Sequence, residues 1–346
     1  MKKLIPTSLQ ITNSSTIKKY TRKAKHTIKN FQRNIKRNKL ITEWIVPINQ
    51  PIVLILQPPR SGGTMLLRLF DGHTDFHVWP RSLGFGELGW PMSPEKKLNI
   101  LHKSISLEKF NHSGFIKSAS NIPQTQIPIY FDKKWQLSII KNNIQKTKNP
   151  RAIFNMLNTA AFNAWRNYQN LYGSKQWVMY HMAPHPNIPL DEIAKKFLNT
   201  YPDGHILLTT RNPLDWLASA TKLEHSNNWT ANIQLALNAY TMYYQNLPLN
   251  DNRVTIINFD QLVLESSSTL KKICRNLGVG YQNHLQVTTI NNIEVFQNTS
   301  HNLEKKCKPD PNTLGHGEKL RKKVTQLNKY QEAEKLFLSS QNYIQN

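Results

Sequence analysis

Hydrophobic and polar residues follow two rhythms along most of this chain. Short continuous apolar runs at 52–57 (IVLILQ), 176–181 (QWVMYH), 205–210 (HILLTT) and 254–259 (VTIINF) are bounded by turn residues and read as buried strands. Helical spacing follows three of them directly, at 64–71, 214–224 and 266–277. The run at 176–181 reaches its helix, at 191–200, through the proline-rich stretch APHPNIP, and a further apolar stripe predicts a helix over 151–170. This alternation predicts an α/β fold, a single domain with a central, mainly parallel sheet flanked by helices. Ligands of such sheets bind beyond the carboxyl ends of the strands.

Charge changes the picture at the N-terminus. The chain of 346 residues carries 45 Lys and Arg against 21 Asp and Glu, a net charge of +24, and twelve of those basic residues fall within the first 42, which contain no acidic residue. Residues 1–45 are expected to form a basic arm, either a solvated extension or an amphipathic helix suited to an anionic membrane surface. Residues 46–346 are expected to form the catalytic domain, with an acceptor-binding insertion at about 75–175. The sequence shows no apolar run of signal-peptide or membrane-spanning length, so a cytoplasmic protein, peripheral to a membrane through its arm, is the expectation. Two cysteines, Cys274 and Cys307, exclude a disulfide framework and fit a reducing compartment.

The strand-to-helix junctions carry the chemistry. Between the run at 52–57 and its helix lie Pro58, Pro59, Arg60, Ser61, Gly62, Gly63 and Thr64. Backbone N–H groups at such a turn, added to the helix dipole, make an anion site, and glycines let phosphate oxygens approach the backbone. Arg60 adds a charge, and Ser61 and Thr64 add hydroxyls. The Walker spacing G-x-x-x-x-G-K-[ST] is absent, which disfavours metal-dependent phosphoryl transfer by a kinase or NTPase. A second junction repeats the logic in RNPLDWLAS: Arg211 closes a strand, Asp215 sits in the first helical turn and Ser219 follows eight residues after the arginine. Two anion sites at neighbouring strand ends suit a ligand with separated anionic groups.

In these segments the chain resembles the sulfotransferases. PPRSGGTMLLRLFDGH is similar to their 5'-phosphosulfate loop, usually P-[RK]-S-G-T-T, and RNPLDWLAS to their 3'-phosphate motif. VTIINFDQLVLESSSTLKKICRNLGV resembles a later family segment in which a strand, [YF]-[ED]-x-L and a helix ending in L-G follow one another. The resemblance implies a P-loop NTPase-like fold and, as donor, 3'-phosphoadenosine 5'-phosphosulfate, whose sulfuryl group passes in line to an acceptor hydroxyl or amine with no metal required. It implies that Arg60 neutralises charge on the bridging oxygen, that Arg60, Ser61, Gly62, Gly63 and Thr64 hold the 5'-phosphate, and that Arg211 and Ser219 hold the 3'-phosphate. Gly63 stands where the family usually has Thr, and the C-terminal R-K-G contact has no clean match, with Lys319, Arg321 and Lys322 as substitutes.

Two residues compete for the proton of the acceptor. Glu87 follows the first helix and His181 ends the second strand, each matching one pattern of the resemblance. His181 and His185 form an H-x-x-x-H, but Pro184 and Pro186 prevent the helix that would align two imidazoles on zinc. Trp79, Trp90, Trp135, Trp165 and Trp177 crowd the expected acceptor region and favour a carbohydrate. A non-catalytic basic binder of RNA or anionic membrane is the alternative, although no nucleic-acid motif appears and nucleic acid is not the expected partner.

Overall fold

The computed structural model describes residues 45–80, 131–144, 149–222, 232–247, 250–296 and 306–343. The chain divides into two units, Met1–Pro47 and Ile48–Asn346, and the second carries the fold. The basic arm through residue 44, Glu87 and Trp90 lie outside the described residues.

A five-stranded, wholly parallel sheet in the order β2-β3-β1-β4-β5 forms the centre. Its strands are β1 (Ile52–Leu56), β2 (Phe76–Val78), β3 (Trp177–Met182), β4 (His205–Thr210) and β5 (Val254–Asn258). Every residue of β1 is fully buried, because helices cover both faces of a parallel sheet, and for that reason the strand reads as an unbroken apolar run. The helices that matter to the site are α1 (Gly63–Phe70) after β1, α2 (Lys133–Asn143) and α3 (Pro150–Ala164) before β3, and α4 (Leu190–Thr200) after it. They are followed by α5 (Pro213–Ala220) after β4, α6 (Ile233–Tyr244), then α7 (Phe259–Leu264) and α8 (Ser266–Asn276) after β5. A small antiparallel hairpin, β6 (Thr289–Ile290) with β7 (Ile293–Glu294), and helices α9 (Glu318–Val324) and α10 (Asn328–Asn342) complete the chain.

Three expectations change. The region at 75–175, read as an insertion, contributes β2, an edge strand paired in parallel with β3 from Phe76↔Trp177 to Val78↔Met179. Three residues are too few to show a period in the sequence. The helix expected over 151–170 ends at Ala164, where Trp165 leaves the helical region (φ −80°, ψ 90°). Trp165 then stacks on Tyr168 at 4.7 Å, and Asn170 donates to the carbonyls of His73 and Phe76, so the chain past Ala164 packs as a loop against the end of α1 and the start of β2. The helix expected over 214–224 stops at Ala220, with Thr221 as its C-cap.

Among the described tryptophans, several pack in the core or against it. Trp79 and Trp165 are buried, Trp79 lying against Tyr180 and donating to Asn158 Oδ1 at 3.1 Å. Trp177 packs on the core cluster and donates to the Leu277 carbonyl, and Trp135 lies under the Arg166 guanidinium. Both cysteines are free thiols.

Candidate active site

The site grows from the end of β1. Gln57 continues the strand, its N–H donating to the Met182 carbonyl on β3, and the chain then turns through Pro58–Gly62 into α1. Gly62 is the N-cap of α1 at φ 88°, and Arg60 is also left-handed at φ 71°. An arginine in that region is uncommon and carries strain, which the surroundings must hold in place. They do so from three sides. Arg211 Nη1 donates to the Arg60 carbonyl at 2.8 Å, Trp216 Nε1 to the Pro59 carbonyl at 2.7 Å, and Arg60 Nε to Ser219 Oγ at 3.0 Å. Ser61, fully buried, exchanges a hydrogen bond with the Tyr244 hydroxyl at 3.2 Å. A Cβ at Gly62 would enter the ring of Phe259, so this position requires glycine for space as well as for its dihedral.

Because β1 and β4 are neighbours, their two following turns lie side by side. The structure therefore brings Arg60, Ser61, Gly62, Gly63, Arg211 and Ser219 into one crest beyond the carboxyl ends of the strands, with Thr64 half-buried in the first turn of α1. The two arginines have different partners. Arg60 donates to Ser219, while the Arg211 guanidinium reaches the carbonyls of Arg60 and Thr313 and lies 4.6 Å over the Phe259 ring. Burial lowers the pKa of Arg211 to about 10, opposed by Asp215 and Asp260, and burial raises Asp260 to about 6. Arg211 stays a cation at neutral pH.

Asp215 has a role the sequence only hinted at. Its carboxylate accepts from the N–H groups of Gly315 at 2.8 Å and Gly317 at 2.7 Å, docking the C-terminal loop onto the first turn of α5. Gly317 sits so close that a Cβ would overlap the Leu214 backbone. Gly317→Ala is therefore expected to lift this loop and lower stability by about 2–3 kcal/mol, since buried charge-assisted bonds are lost with it. Urea unfolding of the two proteins measures it. Of the expected C-terminal cations, Arg321 is bidentate to Glu318, with both bonds at 2.6 Å, and so is turned to its own helix.

His181 lies on the other side of α1. It pairs in register with Ile55, and so projects from the same sheet face as Ile55 and Gln57, toward the start of α1. The Gln57 carboxamide bridges from the Gly63 N–H to His181 Nε2. The histidine is buried, its Nδ1 has no hydrogen-bond partner among the described residues, and burial with the nearby Arg68 charge lowers its pKa to about 4. It is neutral and able to accept a proton at physiological pH. His185 is exposed and accepts from the Asn187 N–H through Nδ1.

Against known proteins, a sequence model described as the sulfotransferase family matches residues 51–283. The chain belongs to the sulfotransferase family. The match begins just before β1 and ends beyond α8, so it contains both junctions of this sulfotransferase. Among solved structures, the sulfotransferase domain from the Synechococcus PCC 7002 olefin synthase has a TM-score of 0.53 at 17% identity, covering 84% of this chain and 95% of its own. The sulfotransferase domain from the curacin biosynthetic pathway has a TM-score of 0.51 at 16% identity, covering 84% and 98%. At these identities the likeness speaks to the fold. A search of the curated proteins gives no match. Tyr244 is the member of the sulfotransferase site that sequence reasoning did not single out, and the roles of Gln57, Asp215 and Phe259 there were not read although each was placed at a junction. Gln57 and Phe259 each follow the last residue of a strand and Asp215 sits in the first turn of a helix, whereas Tyr244, at the end of α6, had no local signal.

Proposed function

We propose that this sulfotransferase moves the sulfuryl group of 3'-phosphoadenosine 5'-phosphosulfate to a hydroxyl or amine. The observation that carries the reading is the crest itself: two arginines, a serine pair and a glycine turn held together at adjacent strand ends. The amides opening α1 and the Ser61 hydroxyl suit the 5'-phosphate, and the helix dipole adds to them. Arg60 stands at the turn, where positive charge meets the oxygen that gains charge as the S–O bond to the 5'-phosphate breaks. A new S–O or S–N bond forms to the acceptor, whose proton passes to His181. Arg211 and Ser219, with the docked loop at 313–317, form the side facing the 3'-phosphate. Glu87 is the other candidate for the proton. The acceptor is a hydroxyl or an amine, with a carbohydrate as one form of the hydroxyl. The arm at 1–45, the expected seat of membrane association, is proposed to serve location and not chemistry.

Calorimetric titration with adenosine 3',5'-bisphosphate and with 5'-AMP tests the donor. The bisphosphate is expected to bind at least tenfold more tightly, and Arg211→Ala to erase most of that difference, as befits a charge-assisted contact worth about 1.5–3 kcal/mol. Equal, salt-sensitive binding of both nucleotides overturns the reading and favours a basic surface that gathers polyanions.

A further inference from the structure

Gln57 occupies a position that neither junction motif explains. It is 4% exposed, and β1–β3 pairing sets it beside Met182 on the face that also carries His181. Its carboxamide oxygen accepts the Gly63 N–H, which leaves the amide nitrogen toward His181 Nε2. An amide nitrogen only donates, so the imidazole nitrogen it meets must accept, and the ring proton must sit on Nδ1. The histidine lone pair is thereby aimed at the first turn of α1 and capped there. Space tells the same story: a Cβ at Gly63 would collide with the Gln57 carboxamide and lie 2.9 Å from His181 Cδ2. Gln57 fills the volume that a side chain at position 63 would need.

We propose that Gln57 is a positioning residue that holds the His181 lone pair toward the phosphate loop and stands in for the donor at the Gly63 amide, so that donor binding uncaps the histidine. The inference rests on the donor reading above. A phosphate oxygen is a stronger acceptor than a neutral carboxamide oxygen and takes the Gly63 N–H. Gln57 then loses one of its two anchors and swings off Nε2. The lone pair is free for the acceptor's proton only when the donor is in place.

Two measurements test it. Long-range nitrogen NMR of histidine-labelled protein without nucleotide, with His181 assigned by its absence in His181→Asn, is expected to show the Nδ1–H tautomer and to lose that preference in Gln57→Ala. An Nε2–H tautomer in the wild type, or a tautomer indifferent to Gln57, overturns the proposal. Titration with adenosine 3',5'-bisphosphate is expected to show binding roughly three- to tenfold tighter in Gln57→Ala, because an internal competitor for one amide is gone. A merely structural glutamine would give weaker binding, and equal or weaker affinity overturns the proposal. If the bisphosphate does not bind the wild type at all, the donor reading fails and with it the gating by donor. The tautomer in nucleotide-free protein still judges whether Gln57 positions His181.

Discussion

Replacing Arg60 with alanine is expected to lower turnover by about 10²–10³-fold while changing affinity for adenosine 3',5'-bisphosphate less than tenfold. The asymmetry follows from where the charge acts. In the proposed reaction the bisphosphate is a product, held by amides, hydroxyls and Arg211 as well as by Arg60, and the guanidinium of Arg60 would act most strongly on charge that develops as the S–O bond opens. Arg60 also has a structural tie, its Nε donating to Ser219 at 3.0 Å, but its carbonyl bond from Arg211 survives the substitution. Release of bisphosphate from the donor in the presence of a panel of hydroxyl and amine acceptors measures turnover. A loss below threefold would remove Arg60 from the chemistry.

His181→Asn is expected to lower turnover by about 10²–10⁴-fold, the usual range for loss of a positioned proton acceptor, with bisphosphate binding retained. The pH profile carries a sign that follows from the environment. Burial and the Arg68 cation both disfavour imidazolium, and the pKa falls from the ordinary 6.5 to about 4. The neutral ring therefore persists from neutral pH down to about 5, and the acidic limb of kcat/KM falls only as pH approaches about 4. An unperturbed histidine would lose activity near pH 6.5 instead. Thermal unfolding of the variant separates a lost proton acceptor from a lost fold. Retained turnover would transfer the proton to Glu87.

The two local junctions were legible from residue order alone. A buried parallel strand is an apolar run, and the turn that follows it must use glycine or proline, so β1 with α1 and β4 with α5 could be read within a residue or two at their starts. Arg60, Ser61, Gly62 and Arg211 sit in such turns, Gly63 opens the helix that follows the first, and Ser219 lies within the helix that follows the second, so all six stand near a junction that the pattern marks. The docking of the C-terminal loop was not legible, since Asp215 meets Gly315 and Gly317 about a hundred positions away.

Residue order thus determined the strand-to-helix units, the types of side chain at each junction and the family. Tertiary structure alone decided which junction lies beside which. The sheet order β2-β3-β1-β4-β5 places β1 between β3 and β4, so the turn after β1 meets Arg211 and Ser219 on one side and His181 on the other. Hydrogen bonding between strands sets that order, and it acts through space between segments that no local pattern connects. The same order gave Gln57 its place between Gly63 and His181, where only a missing Cβ leaves room for it.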